Sequence, residues 1–309
     1  MITTVTLSPM LDKTVRLEVL KRGRIHRATS MTMVAGGKGI NVSRQLKCLG
    51  DETLATGFLG GATGKMISEL MDREGIPHDF VETEILTREG VTYVEADGRA
   101  SAVFEPSLKP PVERVHSLSR KVNALSRESD WIVCSGSSPG GEVDDLFYEA
   151  ILSAHRAGCQ SVLDSYGAAL TLAIKGLPTI MKLNKGEFEQ SFRLELRNER
   201  DVRRELGKLV AAGVHFCILS NGARAAYAAS KDGEWKVLPA GIQTVNPVGS
   251  GDAMVAGILH GFTQTWDFER CLRFGAAAGA ANARVWQVAA SSCKEIMSHE
   301  PNTRVQKLA

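Results

Sequence analysis

Short apolar runs alternate with longer amphipathic stretches through the second half of the chain. SDWIVCSG at 129–136 is followed by EVDDLFYEAILSAHRAG at 142–158 and then by CQSVLDS at 159–165. A second pair, DVRRELGKLVAAG at 201–213 and VHFCILSNG at 214–222, repeats the pattern. Runs that are apolar on both faces, joined by stretches of helical period, are typical of βαβ units around a parallel sheet. The pattern therefore predicts a doubly wound α/β fold whose ligands bind at the carboxyl ends of the strands.

Two other segments, at about 13–34 and 87–104, have a period of two, which indicates half-exposed strands. In the first, alternating apolar positions lie on both sides of a turn around Gly23. In the second, strand-like runs flank Asp97-Gly98, a strong hairpin signal. We expect these segments to form a small antiparallel sheet that projects from the α/β body and acts as a lid on a ligand site. No linker divides the chain, so residues 1–309 are expected to form one domain.

Composition and charge exclude several classes of protein. With 43% hydrophobic and 23% charged residues the chain is an ordinary globular protein, and its net charge of +2 gives no reason to expect nucleic acid as a partner. No apolar run approaches the ~20 residues of a membrane helix, and the N-terminus does not resemble a signal peptide, so a cytoplasmic protein is expected. The six cysteines are scattered, which indicates reduced thiols. Residues 1–50 hold nine Lys or Arg against two acids, a pattern that fits an anionic ligand or, more commonly, a solvated basic face.

Three glycine-rich stretches are candidate ligand-binding turns. AGGKGIN at 35–41 precedes a helical pattern, but Gly39 and Ile40 follow Lys38, so no hydroxyl is in register for a Walker A loop. In GGATGKM at 60–66, Met66 stands where that loop needs Ser or Thr. AGGKGIN therefore indicates either a close backbone approach to a polar ligand or a plain strand-to-helix turn. NPVGSGDAMVAG at 246–257 fits both a phosphate cradle that contains a catalytic base and a well-capped buried helix.

The order of the motifs distinguishes these alternatives. The chain resembles the PfkB (ribokinase-like) family of carbohydrate kinases, and within it the phosphosugar branch that contains 1-phosphofructokinases and tagatose-6-phosphate kinases. The resembling segments are TLSPMLD at 6–12, GGKGIN at 36–41, GFLGGATG at 57–64, LTREG at 86–90, SGSSPGG at 135–141, KLNKGE at 182–187 and NPVGSGDAMVAG at 246–257. Seven colinear matches make coincidence improbable. The resemblance implies a ribokinase-like doubly wound sheet flanked by helices, with a small β-sheet lid that often pairs in homodimers.

The resemblance also implies transfer of the ATP γ-phosphoryl group to a sugar hydroxyl. Asp252 then corresponds to the base that accepts the hydroxyl proton, since a carboxylate of ordinary pKa, ~3.9, is ionised at neutral pH. Gly249, Ser250 and Gly251 would direct backbone N–H groups at the charge that develops on the phosphoryl oxygens. The small residues of 253–257 are expected to let the following helix pack closely on the sheet.

Matching positions imply a sugar-phosphate site in the first part of the chain. Asp12 corresponds to the carboxylate that binds sugar hydroxyls, and Gly37, Lys38 and Asn41 match further sugar contacts, although Asn is also a common capping residue. Arg88 matches the arginine that holds the substrate's existing phosphate, a task that suits the planar fork of a guanidinium group. Arg27 could share this charge.

The remaining matches concern the nucleotide. Asn184 and Glu187 correspond to the family's N-x-x-E element, associated with Mg²⁺ and the ATP phosphates, and they also fit the N-cap and third residue of a helix. Ser220 and Gly222 follow a predicted strand where relatives place a nucleotide-binding turn. Asn282 lies on a helix expected to border the adenine.

Two departures from the family pattern bear on the substrate. Glu89 follows Arg88 and would weaken phosphate binding if it pointed inward, and EPSLKPP at 105–111 differs from the usual ending of the lid. The main hypothesis is an ATP- and Mg²⁺-dependent kinase of a ketohexose phosphate. The alternatives are a kinase of an unphosphorylated sugar or nucleoside, and a sugar-phosphate-binding protein without catalysis.

Overall fold

The computed structural model describes residues 1–308. Its strands are β1 (Ile2–Thr6), β2 (Met10–Leu17), β3 (Ser30–Gly36), β4 (Thr53–Gly60), β5 (Val81–Thr83), β6 (Arg88–Glu95), β7 (Ala100–Phe104), β8 (Trp131–Gly136), β9 (Gln160–Ser165), β10 (Ile180–Asn184), β11 (Phe216–Asn221), β12 (Arg224–Ser230), β13 (Gly233–Leu238) and β14 (Arg304–Leu308). Its α-helices are α1 (Lys38–Leu49), α2 (Gly61–Glu74), α3 (Val112–Leu125), α4 (Leu146–Ala157), α5 (Gly167–Ala173), α6 (Lys185–Phe192), α7 (Glu199–Ala212), α8 (Ser250–Thr263), α9 (Phe268–Ala283) and α10 (Cys293–His299). Short 3₁₀ turns cover Gly141–Asp145, Ile174–Gly176 and Glu300–Asn302.

The main sheet has ten strands in the order β14-β13-β12-β11-β10-β9-β8-β1-β4-β5. Neighbouring strands run parallel from β5 to β11 and antiparallel from β11 to β14. The two patterns used to predict βαβ units correspond to β8-α4-β9 and to α7-β11. The predicted doubly wound α/β fold is therefore confirmed.

Helices cover both faces of this sheet. One buried cluster joins α3, α4 and α7 to the strands through residues such as Leu118, Phe147 and Leu206. The other joins α1, α8 and α9 to the opposite face through residues such as Leu46 and Val255. Burial of the apolar stripe of each helix against the sheet is the main force that holds the layers together.

The small residues of α8 face a helix as well as the sheet. A Cβ on Gly257 would lie 2.9 Å from the Cα of Gly275 in α9, and Ala253 packs beside Phe274 and Ala277 of the same helix. Val255 and Ala256 pack on the sheet as the sequence predicts, and the contact of Ala253 and Gly257 with α9 is an addition to that prediction. The tight α8–α9 contact fixes the N-terminus of α8 in position.

Strands β3-β2-β6-β7 form a second, four-stranded sheet, called the small sheet below. The expectation of an antiparallel sheet is corrected, because the central strands β2 and β6 pair in parallel and the sheet is mixed. β6 and β7 are antiparallel and turn at Asp97-Gly98, where Gly98 has φ of 86°, so the predicted hairpin is confirmed. β2 and β3 are also antiparallel, and the connection between them, residues 18–29, contains the predicted turn at Gly23, whose φ is 70°. The Arg16 guanidinium lies 4.3 Å above the Trp286 ring, which joins the small sheet to the body beyond α9.

Two compositional expectations can be compared with the described residues. The six cysteines are free, and four of them are buried, as expected for reduced thiols. Among residues 1–308, no helix has both the length and the apolar character needed to cross a membrane.

Candidate active site

A cavity of about 750 Å³ lies between the small sheet and the body, at the carboxyl ends of the parallel strands. This is the position that the fold class predicts for a ligand. All but two of the site residues expected from the sequence line it: Asp12, Gly37, Lys38, Asn41, Arg88, Asn184, Glu187, Ser220, Gly222, Gly249, Ser250, Gly251 and Asp252. The exceptions are Asn282 and Arg27.

The glycine turn at the start of α8 forms one wall of the cavity. Gly249 is the N-cap and has φ of 78°, in the left-handed region that favours glycine. No side chain caps this helix start, and the Ser250 N–H donates to the Pro247 oxygen at 3.2 Å, so the next backbone N–H groups, those of Gly251 and Asp252, are the ones available to an anion. Asp252 follows in the first turn and is only 5% exposed.

Burial changes the acid–base behaviour of Asp252. Desolvation raises its pKa to about 6, and the nearby Asp164 carboxylate acts in the same direction. Lys38 and the hydrogen bond from Asn41 Nδ2 to Asp252 Oδ2, 2.8 Å long, favour the ionised form and limit the rise. The carboxylate is thus more basic than the ordinary aspartate assumed from the sequence, and it is still ionised at neutral pH.

Asn282 lies behind this wall and supports the glycine turn. Its Nδ2 donates to the backbone oxygen of Val248 at 2.8 Å and to Ser250 Oγ at 2.9 Å, while its Oδ1 accepts from the Ala289 N–H at 2.6 Å. The side chain is 1% exposed, and these bonds use its amide within the protein. Asn282 itself does not line the cavity, although Ala276 and Ala280 of the same helix do.

A cluster of buried charges lies beside Asp252. Lys38 Nζ donates to Asp164 Oδ1 at 3.0 Å and to Glu187 Oε1 at 2.6 Å. Burial opposes the charge on Lys38, but Asp164, Glu187 and Asp252 outweigh it and raise the pKa of this lysine. Lys38 is the first residue of α1, so the AGGKGIN segment enters the helix earlier than the sequence pattern indicated.

Two members of this cluster, Asp164 and Lys182, were missed by sequence analysis. Asp164 is fully buried, and although desolvation opposes its ionisation, Lys182 and Lys38 hold its pKa below the ordinary value. Lys182 Nζ lies 3.6 Å from Asp164 Oδ2, outside hydrogen-bonding distance, and 2.5 Å from where a Cβ on Gly251 would be. The ammonium group is therefore packed against the glycine turn, on the cavity side.

The small sheet supplies the opposite wall. Asp12 Oδ1 is buried without a hydrogen-bond partner, and burial raises the pKa of this carboxyl against the opposing charge of Arg44. Arg88 Nη2 donates to the backbone oxygen of Ser8 at 3.3 Å, whereas its Nε is buried and has no acceptor. Both residues line the cavity, and each also has one polar atom buried in the protein without a partner.

Glu89 does not face this cavity. Its carboxylate pairs with Lys13, and its backbone N–H donates to Glu105 Oε2 at 2.8 Å. Consecutive residues of a strand point to opposite faces, so Glu89 lies on the other side of the small sheet from Arg88. The weakening of anion binding expected from an inward carboxylate does not arise. Arg27 lies in the exposed connection 18–29 and does not line the cavity.

The far end of the cavity is a slot with mostly apolar walls. Asn184 Oδ1 accepts from the Glu187 N–H at 2.9 Å and Glu187 Oε2 accepts from the Asn184 N–H at 3.0 Å, which confirms the predicted helix cap. Ser220 and Gly222 lie at the β11–β12 turn beside it. The apolar lining is Ala226, Val237, Pro239, Ile242, Ala276 and Ala280.

Comparison with known proteins identifies the family of this chain. The model of the pfkB family of carbohydrate kinases matches residues 6–294. The chain belongs to this family. It is 32% identical to tagatose-6-phosphate kinase of Staphylococcus epidermidis over 288 residues, which is 92% of each protein. It is therefore a sugar kinase, with ATP as the co-substrate that this family implies.

Solved structures agree with this assignment. Phosphofructokinase-2 from Escherichia coli in complex with potassium has a TM-score of 0.91 and 29% identity, covering 97% of this chain and 98% of that one. The same enzyme in complex with fructose 6-phosphate has a TM-score of 0.88, 28% identity and the same coverage. Ribokinase from Arabidopsis thaliana, in complex with ribose and ATP, has a TM-score of 0.77 and 21% identity, covering 97% of this chain and 98% of that one. At this identity the similarity indicates the fold alone.

The residues of this sugar kinase fit a magnesium ion only in part. Within residues 1–308, no group of three or more His, Cys, Asp or Glu side chains could hold a metal ion. Glu187 already pairs with Lys38 and with the Asn184 N–H, although Asp164 Oδ2 has no hydrogen-bond partner. The donor set therefore fits a hydrated ion that enters with the nucleotide better than a resident metal.

Proposed function

We propose that this sugar kinase phosphorylates a ketohexose phosphate, such as fructose 1-phosphate, tagatose 6-phosphate or fructose 6-phosphate, to the bisphosphate. The observation that carries the proposal is Arg88, whose side chain lines the same cavity as Asp252 and makes only long bonds, 3.3 and 3.5 Å, to the backbone oxygens of Ser8 and Glu105. Long bonds to neutral acceptors leave most of the charge of a guanidinium available to an anion. A phosphate group already present on the sugar is the acceptor that best fits a guanidinium fork.

Asp252 acts as the general base in this proposal. Asn41 holds one carboxylate oxygen, which leaves the other free to accept the proton of the attacking hydroxyl. A pKa of about 6 matches the task, because the group is ionised at neutral pH and is a stronger proton acceptor than an ordinary aspartate. Lys38, close to Asp252 and Glu187, adds positive potential beside the reacting hydroxyl.

The turn formed by Gly249, Ser250 and Gly251 is proposed to receive the migrating phosphoryl group. The uncapped N-terminus of α8 offers backbone N–H groups and the positive end of the helix dipole. Lys182, packed against Gly251, would stabilise the charge that develops on the equatorial oxygens. Asn282 is proposed to act through the turn, which its amide holds in place.

The sugar is proposed to lie between Asp12 and Arg88. Asp12 lines this part of the cavity, where its carboxylate can accept hydrogen bonds from sugar hydroxyls. Gly37 is the N-cap of α1, and a Cβ there would lie 2.8 Å from Thr6 Cγ2, so glycine lets the backbone come close to the ligand. Lys38 and Asn41 follow in the first turn of α1.

The nucleotide is proposed to occupy the opposite end of the cavity. Its base would lie in the apolar slot beside Ser220 and Gly222, with the phosphates near Asn184 and Glu187. Mg²⁺ would be held near Glu187 through water, and when bound it would neutralise charge on the phosphate oxygens.

The small sheet is proposed to serve as a lid within a single kinase domain, and also as a dimer surface. Its edge strand β3 is exposed at residues 30–33, and Met31 leaves 54% of its surface uncovered. An exposed strand with apolar side chains is a ready surface for pairing with a second copy. Sedimentation of the purified chain tests this directly, since a monomer at micromolar concentration would contradict it.

The proposed activity is tested by coupled ADP release with Mg-ATP. The substrates are fructose 1-phosphate, fructose 6-phosphate, tagatose 6-phosphate, fructose, ribose and adenosine. Turnover of at least one phosphorylated ketohexose is expected. Turnover of neutral substrates alone would overturn the role of Arg88, and ATP binding without turnover of any substrate would leave a sugar-phosphate-binding protein.

A further inference from the structure

Three neighbouring strands of the small sheet bring Asp12, Gly90 and Phe104 into one row. Asp12 pairs with Gly90 across β2 and β6, and Gly90 pairs with Phe104 across β6 and β7. Directly paired residues project from the same face of a sheet. One step along the same face, Met10 pairs with Arg88. The cavity therefore meets an ordered surface on which a carboxylate, a guanidinium and an aromatic ring are neighbours.

The missing side chain of Gly90 determines where the Phe104 ring lies. A Cβ on Gly90 would be 2.7 Å from Phe104 Cδ1 and 2.9 Å from Met10 Sδ, so both apolar groups occupy the space above this glycine. Together they form an apolar plate between Asp12 and Arg88. The plate is not a buried core contact, since Phe104 leaves 55% of its surface exposed while lining the cavity.

An exposed aromatic ring between two charged groups fits a ligand that is polar at its ends and apolar in between. A sugar ring has this character, because its hydroxyls project from the edges while its C–H bonds form an apolar face. An open chain presents no such continuous face. Contact with an aromatic ring removes apolar surface from water and is favourable for the ring form.

We propose that Phe104, held over Gly90 and against Met10, is a specificity-determining residue that packs on the C–H face of a cyclic sugar. For the ketohexose phosphate of the proposed function, on which this inference rests, the hydroxyls then face Asp12 and the phosphate faces Arg88. The plate selects the ring form of the substrate, while Arg88 selects its charge.

The test is a double-mutant cycle of Gly90→Ala and Phe104→Ala, with Val103→Ala as the matched control. Val103 lies on the same strand, on the opposite face, and is 64% exposed. Steady-state kinetics give KM and kcat for the ring-forming ketohexose phosphate, and inhibition gives Ki for an acyclic hexitol phosphate, which has hydroxyls and a phosphate but no ring.

Phe104→Ala is expected to raise KM about 10-fold, the typical effect of one lost aromatic contact, with little change in kcat or in Ki of the hexitol phosphate. Gly90→Ala, whose Cβ would displace the ring, is expected to raise KM in the native background and to add nothing to Phe104→Ala. Val103→Ala is expected to leave KM unchanged. The proposal is overturned if Phe104→Ala changes KM of the ketohexose phosphate and Ki of the hexitol phosphate equally. It is also overturned if the effects of Gly90→Ala and Phe104→Ala on KM are additive, or if Val103→Ala changes KM as much as Phe104→Ala.

The same variants assayed with unphosphorylated fructose separate this inference from the proposed function. If the wild type prefers the neutral sugar, the proposed phosphosugar activity is wrong. The inference about Phe104 is still supported in that case if Phe104→Ala raises KM for the neutral cyclic sugar. If KM for either cyclic sugar is insensitive to Phe104→Ala, the plate fails while the activity stands. A wild-type chain that turns over no sugar contradicts both.

Discussion

Replacement of Asp252 by Asn should make the protein more stable while it removes activity. Burial raises the pKa of this carboxyl from 3.8 to about 6. A folded-state pKa above the unfolded one means that the group's contribution to stability is complete below pH 3.8 and is lost as the pH rises through 6. With ~1.4 kcal/mol per pKa unit, the ionised carboxylate lowers the free energy of unfolding by about 3 kcal/mol at pH 8.

An asparagine at this position is neutral at every pH, so it avoids this loss. For a chain of this length, 3 kcal/mol corresponds to a rise in Tm of about 5 °C at pH 8, and about half of the gain should remain at pH 5. The rate should fall about 10²- to 10⁴-fold, since the general base is gone. Thermal unfolding at pH 5 and pH 8, together with kcat from ADP release, measures both effects.

Asp164→Asn is the matched control, because this second buried carboxylate is shifted in the opposite direction. Lys182 and Lys38 hold the pKa of Asp164 below its ordinary value despite burial, so its ionised form stabilises the fold above the unfolded pKa. Its replacement should lower Tm at pH 8. If Asp252→Asn also lowered Tm, or if it kept a near-normal kcat, the argument from burial or the assignment of the base would be refuted.

Three further predictions concern the same cavity. The value of kcat/KM should fall below about pH 6 as Asp252 becomes protonated, and a profile that stays flat to pH 5 would contradict the assigned base. Asn41→Ala should move the midpoint of this profile to higher pH, because the ionised form of Asp252 loses a hydrogen bond. Arg88→Gln should raise KM for a ketohexose phosphate about 100-fold while KM for the neutral sugar is unchanged, and equal effects on the two would exclude a phosphate contact. Lys182→Met should lower kcat about 10²- to 10³-fold with little change in KM in steady-state assays. A change in KM alone would show that Lys182 binds the substrate and does not stabilise the transition state.

Local sequence patterns were sufficient for the elements that carry the site. The alternation of apolar runs and helical periods predicted β8, α4 and β9, and Asp97-Gly98 predicted the β6–β7 hairpin. The alternation of side chains along a strand could also have shown that Glu89 faces away from Arg88, since the two are consecutive residues of β6.

Contacts between distant segments were beyond the reach of the sequence. Asp164 and Lys182 lie on adjacent parallel strands, and only the pairing of β9 with β10 brings them together beside Lys38. The raised pKa of Asp252 depends on burial beneath the small sheet and between helices, which no local pattern records. The amide of Asn282 could equally have faced a ligand or the turn at Val248 until the helix packing was known.

The central claim is that this kinase recognises a phosphate already present on its sugar through Arg88. The most direct test is the ratio of kcat/KM for tagatose 6-phosphate to that for tagatose, measured in the wild type and in Arg88→Gln. The account predicts a large ratio in the wild type that falls about 100-fold in the variant, because only the charge-assisted hydrogen bonds to the substrate phosphate are lost. A ratio near one in the wild type, or a ratio that Arg88→Gln leaves unchanged, would contradict it.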